Sequence, residues 1–231
     1  MSTALHVAPH PDDEALGAPA TLLLLRRAGW RIVNAVVSLG RPAEDGRRRA
    51  EAIDAARRAS FELLLPEQRF VLPADEAGVS AWLAGVMQDH RPMVVLSPSP
   101  HDAHPSHEAV ARATGAALEA LPSPPVWWQW GLWADLRDPT LYVPFGDDVL
   151  AEAQHVLAAY AGELARNDYA RLLAARAVAA AVLGSERVFG FGRGRASTMP
   201  YAELFTEYRW ADGSWEPGTS RMLDAGAIWS G

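Results

Sequence analysis

Residues 4–17 read ALHVAPHPDDEALG, and the way this stretch is parsed decides the fold. Residues 5–8 carry the short apolar run of a buried strand. His10, two prolines and three consecutive acids, Asp12, Asp13 and Glu14, follow at once. Residues 16–28 then take helical spacing and stop at Gly29, a residue type that tolerates the left-handed cap conformation. Residues 31–38 return as a second strand. The unit is strand, charged turn, helix, strand. It raises one question: why does so much charge sit at the mouth of a buried strand, where losing water is costly?

The alternation continues outward. Residues 47–61 have helical spacing, with Ala50, Ile53, Ala56 and Phe61 forming a weak apolar face. A short strand is expected at 70–72, a helix at 80–89 and a strand at 93–97. Residues 105–121 read as a helix with Pro105 at its first position, where the missing N–H is harmless. An aromatic strand at 126–133 and a further strand at 140–143 precede two Ala-rich helices, 148–165 and 169–183. A Gly/Arg-rich loop covers 190–195, and 201–210 fits either a late strand or a short helix. This pattern predicts a single α/β domain over 1–231. Its mostly parallel sheet is flanked by helices, and its ligands bind beyond the carboxyl ends of the strands.

Composition narrows the function classes. The 231 residues are 49% hydrophobic and 21% charged, ordinary for a globular protein. A net charge of -7 argues against a nucleic-acid partner, which would need a basic surface. Cysteine is absent, so a metal would have to be held by His, Asp or Glu. The apolar run at 21–25 is too short to span a bilayer, and no signal peptide is evident, so a cytoplasmic protein without a transmembrane segment is expected.

Three loops after expected strands hold the reactive side chains: 10–14, 40–49 and 101–107. The fold brings them to one edge. Four of the seven histidines, His10, His101, His104 and His107, lie in two of these loops. His10 and Asp13, across a Pro-containing turn, can face one metal ion while Asp12 is left free to accept a proton from water. A divalent cation would also answer the opening question, because it lets neighbouring carboxylates stay charged. On its own, 10–14 reads equally as a helix start, with acids at the positive end of the helix dipole. His104 and His107, three apart, can share one side of a helix end, one for metal and one for substrate. His101 is closer to an ordinary solvated loop residue.

Together these loops resemble the GlcNAc-phosphatidylinositol de-N-acetylase family, also called PIG-L or LmbE-like. The matching residues are Pro9-His10-Pro11-Asp12-Asp13-Glu14 and His104-Pro105-Ser106-His107. Arg48-Arg49-Ala50-Glu51 and Tyr201-Ala202-Glu203-Leu204-Phe205 extend the likeness. The resemblance implies a Rossmann-like fold, a zinc site and hydrolysis of an N-acetyl group from a small molecule, often an amino-sugar conjugate. It implies His10, Asp13 and His107 as metal ligands, Asp12 as general base and His104 as electrophilic or acid partner. Arg48 becomes a substrate contact and Asp102 an orienting partner of a site histidine. Glu14 is read as a supporting carboxylate, since a fourth protein ligand would close the position water needs. The chain departs from the family's pattern at Ser106, at Pro19-Ala20 and after Gly40, where many members carry Asp, Gly-Gly and an acid.

Weaker signals have plain readings. Strand alternation puts Trp128 and Trp130 on one face and Trp127 on the other, filling core or an oligomer contact unless an aromatic face stacks on sugar. The loop Gly190-Phe191-Gly192-Arg193-Gly194-Arg195 is misplaced for a dinucleotide site and reads as solvated, unless it reaches substrate. A serine hydrolase would need a G-x-S-x-G elbow, which the sequence lacks. A carbohydrate-binding relative without catalysis, or an amidase on a non-sugar substrate, remain as alternatives. A homo-oligomer is allowed.

Overall fold

The computed structural model describes residues 1–223. Its first five strands, β1 (Thr3–Ala8), β2 (Arg31–Val36), β3 (Glu62–Leu64), β4 (Val94–Pro98) and β5 (Val126–Trp130), lie parallel in the order β3-β2-β1-β4-β5. β1 is central, registered from Thr3 opposite Arg31 to Ala8 opposite Val36 on one side and from Ala4 opposite Val94 on the other. Strands buried on both faces need near-continuous apolar sequence, which β1 and β4 have; every residue of both is buried. Beyond β5 the sheet turns antiparallel. β7 (Tyr201–Ala211) pairs with β5 and with β6 (Leu141–Phe145), while β8 (Ser214–Pro217) extends β7 and β9 (Arg221–Met222) runs parallel to β6. The expected mostly parallel α/β sheet is borne out.

Alternation along β1 divides the core. Leu5 and Val7 join Val33, Ala35, Val95 and Trp127 beneath α4 (Glu76–His90) and α5 (Pro105–Glu119). Ala4 faces the other cluster, where Leu22, Leu23 and Leu25 of α2 (Pro19–Arg27) meet Trp128, Trp130 and Phe205. α3 (Asp45–Ala59), α6 (Asp147–Leu157) and α8 (Tyr169–Phe189) complete that layer. Each fully buried leucine of this set contributes about 1.5–3 kcal/mol.

Five local readings change. The helix expected over 16–28 is two pieces, α1 (Asp13–Leu16) and α2, because Pro19 pushes Ala18 out of helical geometry; Gly17, still helical, lies so close to the Trp130 indole that a Cβ there would come within 2.7 Å of the ring. The apolar face of α3 is Ala52, Ala55, Ala56 and Ala59, whose small side chains allow close approach, and Ile53 is 54% exposed. Residues 70–72 form no strand; Phe70 plugs the core against Trp82 without pairing its backbone, and the short half-buried β3 takes the sheet edge instead. The helix expected over 148–165 breaks after α6, and α7 (Ala161–Arg166) starts anew beyond Tyr160. The 126–133 strand ends at Trp130. Trp127 and the pair Trp128 and Trp130 do face opposite clusters, and all three are core.

α2 is capped from afar. Pro19 stands at its first position and Ala18 offers no side-chain cap. Glu203 of β7 supplies one, accepting the Ala20 N–H at 2.7 Å, the Thr21 N–H at 2.8 Å and the Thr21 hydroxyl at 2.6 Å. These satisfy donors that any helix start leaves open.

Candidate metal centre

The parallel strands end at one edge, and there the turn after β1 is bent hard. Asp12 has φ of 103°, a left-handed conformation that is strained for a residue with a Cβ. The strain throws Asp13 back under His10, whose N–H donates to Asp13 Oδ2 at 2.8 Å. The same oxygen lies 3.6 Å from His10 Nδ1, and Asp13 Oδ1 lies 3.3 Å from His107 Nε2. One ligand atom from each of His10, Asp13 and His107 falls within 4.8 Å of the others. Two imidazoles and one carboxylate converging in this way fit a divalent first-row ion with open positions for water and substrate.

His107 comes from the first turn of α5, which Pro105 starts, with His104 just outside in extended conformation. The His104 ring centre is 4.6 Å from that of His107 and 5.7 Å from that of His10. Its Nδ1 is buried without a hydrogen-bond partner among the described residues. Behind His107, Nδ1 is 2.7 Å from Asp102 Oδ2. Asp102 therefore fixes the ring and leaves Nε2 to face the triad, the support expected of a carboxylate behind a metal-binding histidine. It does so from within the loop, and the Ser106 departure leaves His107 supported. His101 is exposed, apart from the cluster.

Burial and mutual charge set the protonation. Burial lifts the proton affinity of Asp12 well above the usual carboxylate range, reinforced by the charges of Asp13, Glu14 and Glu163 and opposed by Arg48. Burial acts the same way on Asp13, but the adjoining His107 and His10 overcome it and hold Asp13 low. Burial alone would lower His107; Asp13 and Asp102 instead raise it to about 10. A proton shared between His107 and Asp13 answers the same negative cluster that a cation would, so metal binding must displace it. His104 is lowered, first by burial and then by the neighbouring imidazoles. It stays neutral at physiological pH.

The cleft in front of the triad holds about 270 Å³ and is lined by His10, Gly40, Arg41, Glu44, Arg48, Glu163 and Arg166. Arg48 reaches it by passing Gly40: its guanidinium donates to the Leu39 carbonyl at 3.0 Å, and any Cβ on Gly40, whose φ is +82°, would collide with it. Arg48 also pairs with Glu163 at 3.2 Å, while Arg166 binds the other Glu163 oxygen at 2.7 Å. Glu14 points away from the triad and accepts a hydrogen bond from the Tyr160 hydroxyl; burial raises its pKa to about 7. Glu163, Arg166 and Tyr160 were not singled out from sequence. Tyr160 and Glu163 sit in an Ala-rich segment read as one helix, with Arg166 just past its expected end, and the local hint is Gly162 following the Tyr160-Ala161 pair at the break.

Fold and site together define an α/β protein with a two-histidine, one-carboxylate cation site at the carboxyl edge of a parallel sheet. Residues 5–118 match the family model PIG-L, GlcNAc-PI de-N-acetylase, and the chain carries a PIG-L family domain there. No curated protein sequence matches the chain. Solved structures share its fold, three of them as follows. A conserved protein from Thermus thermophilus is 23% identical, with 89% of this chain and 94% of that one covered and a TM-score of 0.70. The 4-carboxy-2-hydroxymuconate hydratase GalB from Pseudomonas putida is 19% identical, covering 90% and 96%, with a TM-score of 0.71. An N,N'-diacetylchitobiose deacetylase from Pyrococcus horikoshii is 16% identical, covering 89% and 83%, with a TM-score of 0.66. A hydratase and a deacetylase on one fold mean that the site, not the fold, selects the reaction. No helix among the described residues is long and apolar enough to cross a membrane.

Proposed function

We propose that this chain is a metal-dependent N-deacetylase that removes an N-acetyl group from an amino-sugar-containing small molecule. The observation that carries the reading is the placement of His10, Asp13 and His107 within 4.8 Å of one another, beside Asp12 and His104, in a chain with a PIG-L domain. Zinc suits this donor set, and other first-row ions suit it too. A divalent ion held there would polarise the amide carbonyl and acidify the attacking water.

The chain's own residues then divide the work. Asp12, with its raised proton affinity, takes the proton from water as the oxygen bonds to the carbonyl carbon. His104, neutral because its pKa is lowered, donates an N–H to the developing oxyanion. That narrows its role from acid to electrophile, since a depressed pKa leaves little imidazolium to give up. The carbon–nitrogen bond breaks, the amine takes the proton held by Asp12, and acetate and a free amine leave. Asp102 holds His107 in one tautomer, and Arg48 and Glu163 form the wall that meets substrate hydroxyls. The unbroken sheet supports reading the chain as one domain.

The test is metal content together with acetate release from a panel of N-acetylated sugars and non-sugar amides. Asp12→Asn is expected to keep its metal and lose about 10²- to 10⁴-fold in kcat. Full turnover in that variant would remove Asp12 from the mechanism. A metal-loaded wild type that binds the sugars and releases no acetate would make the protein a binding relative.

A further inference from the structure

The triad is encircled by side chains from the second half of the chain. The His104 ring lies 5.9 Å from the Trp133 indole with the planes 27° apart, and Trp133 meets Tyr169 edge-on at 6.5 Å. Arg166 stands 5.7 Å over the Tyr169 ring and binds Glu163, which pairs with Arg48 across the cleft from His10.

Trp133 is the member that packing does not explain. Trp127, Trp128 and Trp130 are buried, yet Trp133 is 46% exposed. Leaving an indole half in water forgoes the burial of a large apolar surface. Nor does it sit on a loose tip. The N–H groups of Leu132, Trp133 and Ala134 converge on Asp102 Oδ1 at 2.6, 3.0 and 3.3 Å, and Arg176 holds the Gly131 and Leu132 carbonyls at 2.6 and 2.9 Å. A loop fastened from both sides presents an apolar ring to solvent beside His104.

We propose that Trp133 is a specificity-determining residue whose exposed indole receives the C–H face of the sugar ring that carries the N-acyl group. The proposal rests on the deacetylase reading and names the part of the substrate that reading leaves open. An exposed indole stacked beside His104, whose neighbour His10 lines a cleft with Arg41, Glu44, Arg48, Glu163 and Arg166, matches a pyranose, which has an apolar face and a hydroxyl rim.

The experiment compares N-acetylglucosamine with its open-chain alditol, which keeps the acetamide and hydroxyls but has no ring face. Binding is read by saturation-transfer NMR and reaction by acetate release. Wild type is expected to prefer the ring form. Trp133→Ala is expected to raise KM for it by about ten-fold with a smaller change in kcat, so that the preference collapses. Trp133→Phe should keep most of the preference, which a purely structural role for the loop would not require. No ring preference in wild type, or the same preference in Trp133→Ala, overturns the proposal. Preferential binding of the ring form without acetate release leaves Trp133 standing and sinks the deacetylase reading; acetate release with no dependence on Trp133 does the reverse.

Discussion

The two halves of the sheet contribute different things to the centre. Through α5 the chain is a parallel α/β unit, and its loops deliver His10, Asp12, Asp13, Asp102, His104 and His107 to one edge. Beyond β5 it becomes antiparallel, and its helices and loops deliver Tyr160, Glu163, Arg166, Tyr169 and Trp133, which surround that edge. The family match spans 5–118, the first of these halves. The contrast is physical. Holding a cation and moving a proton fix residue types and spacings tightly, whereas a wall that reads the remainder of a substrate can be built in many ways. On the proposed function the first half would set the reaction, and the second half, together with Arg41 and Arg48 of the first, would set what enters it.

The largest expected effect falls on the residue that joins the halves. Asp102 Oδ2 orients His107, while Oδ1 gathers the loop that bears Trp133. Asp102→Ala releases both and is expected to weaken metal affinity by about 100-fold. Asp102→Asn should separate the two functions: an amide oxygen still gathers the loop, but the charge that steadies His107 is gone. Metal titration with a competing chelator reads the first function, and the ring-over-alditol preference reads the second. If both fall equally in the Asn variant, the division of labour between the halves is wrong.

The same division decides what could be read in the sequence. The charged turn 10–14 and the pair His104 and His107 were legible because their chemistry is local: a strand end, a tight turn, a helix start. Even the support of His107 by Asp102 was within reach, lying five residues away. Tyr160 and Glu163 were not legible, because they reach Glu14 and Arg48 over separations of more than a hundred residues and sit in a segment whose alanines look like one helix. Trp133 was misplaced for a related reason. Strand alternation puts it on a face with its neighbours, but Gly131 and the Asp102 carboxylate end the strand first. The break before α2 was local, since Pro19 displaces Ala18 from helical geometry; only the close packing of Gly17 on Trp130 needed a distant partner.

A smaller effect sharpens the comparison from the wall side. Glu163 is 6% exposed and neutralises Arg48 and Arg166 in the cleft. Glu163→Gln leaves Arg48, whose Nε is already buried without a hydrogen-bond partner among the described residues, less compensated and freer to move. The expected outcome is a KM increase of about ten-fold with metal content retained. The pH profile supplies a second readout. The Glu163 charge helps hold the Asp12 pKa up, so removing it should shift the acidic limb of kcat to lower pH, where Asp12 would now be deprotonated. A lowered metal content instead would place Glu163 with the first half.

The last effect concerns stability rather than turnover, at the tie between β7 and α2. Glu203 caps Ala20 and Thr21, and burial pushes its pKa up to about 7 against the pull of those three hydrogen bonds. A carboxyl raised in the folded state binds more protons there than in the unfolded chain between its ordinary value and about pH 7. Its stabilising contribution is thus complete below the unfolded value and lost as pH rises through the folded one. With the three donors already offsetting part of the cost of burial, the loss between pH 5 and 8 is expected to be about 2–3 kcal/mol. Urea unfolding of wild type and Glu203→Gln at both pH values isolates this group, since the other titrations cancel in the difference. A wild type that gains stability relative to the variant over that range would mean that the helix donors outweigh burial and that Glu203 stays ionised throughout. In that case the joint between the halves is an ion clamped on a helix end rather than a neutral cap.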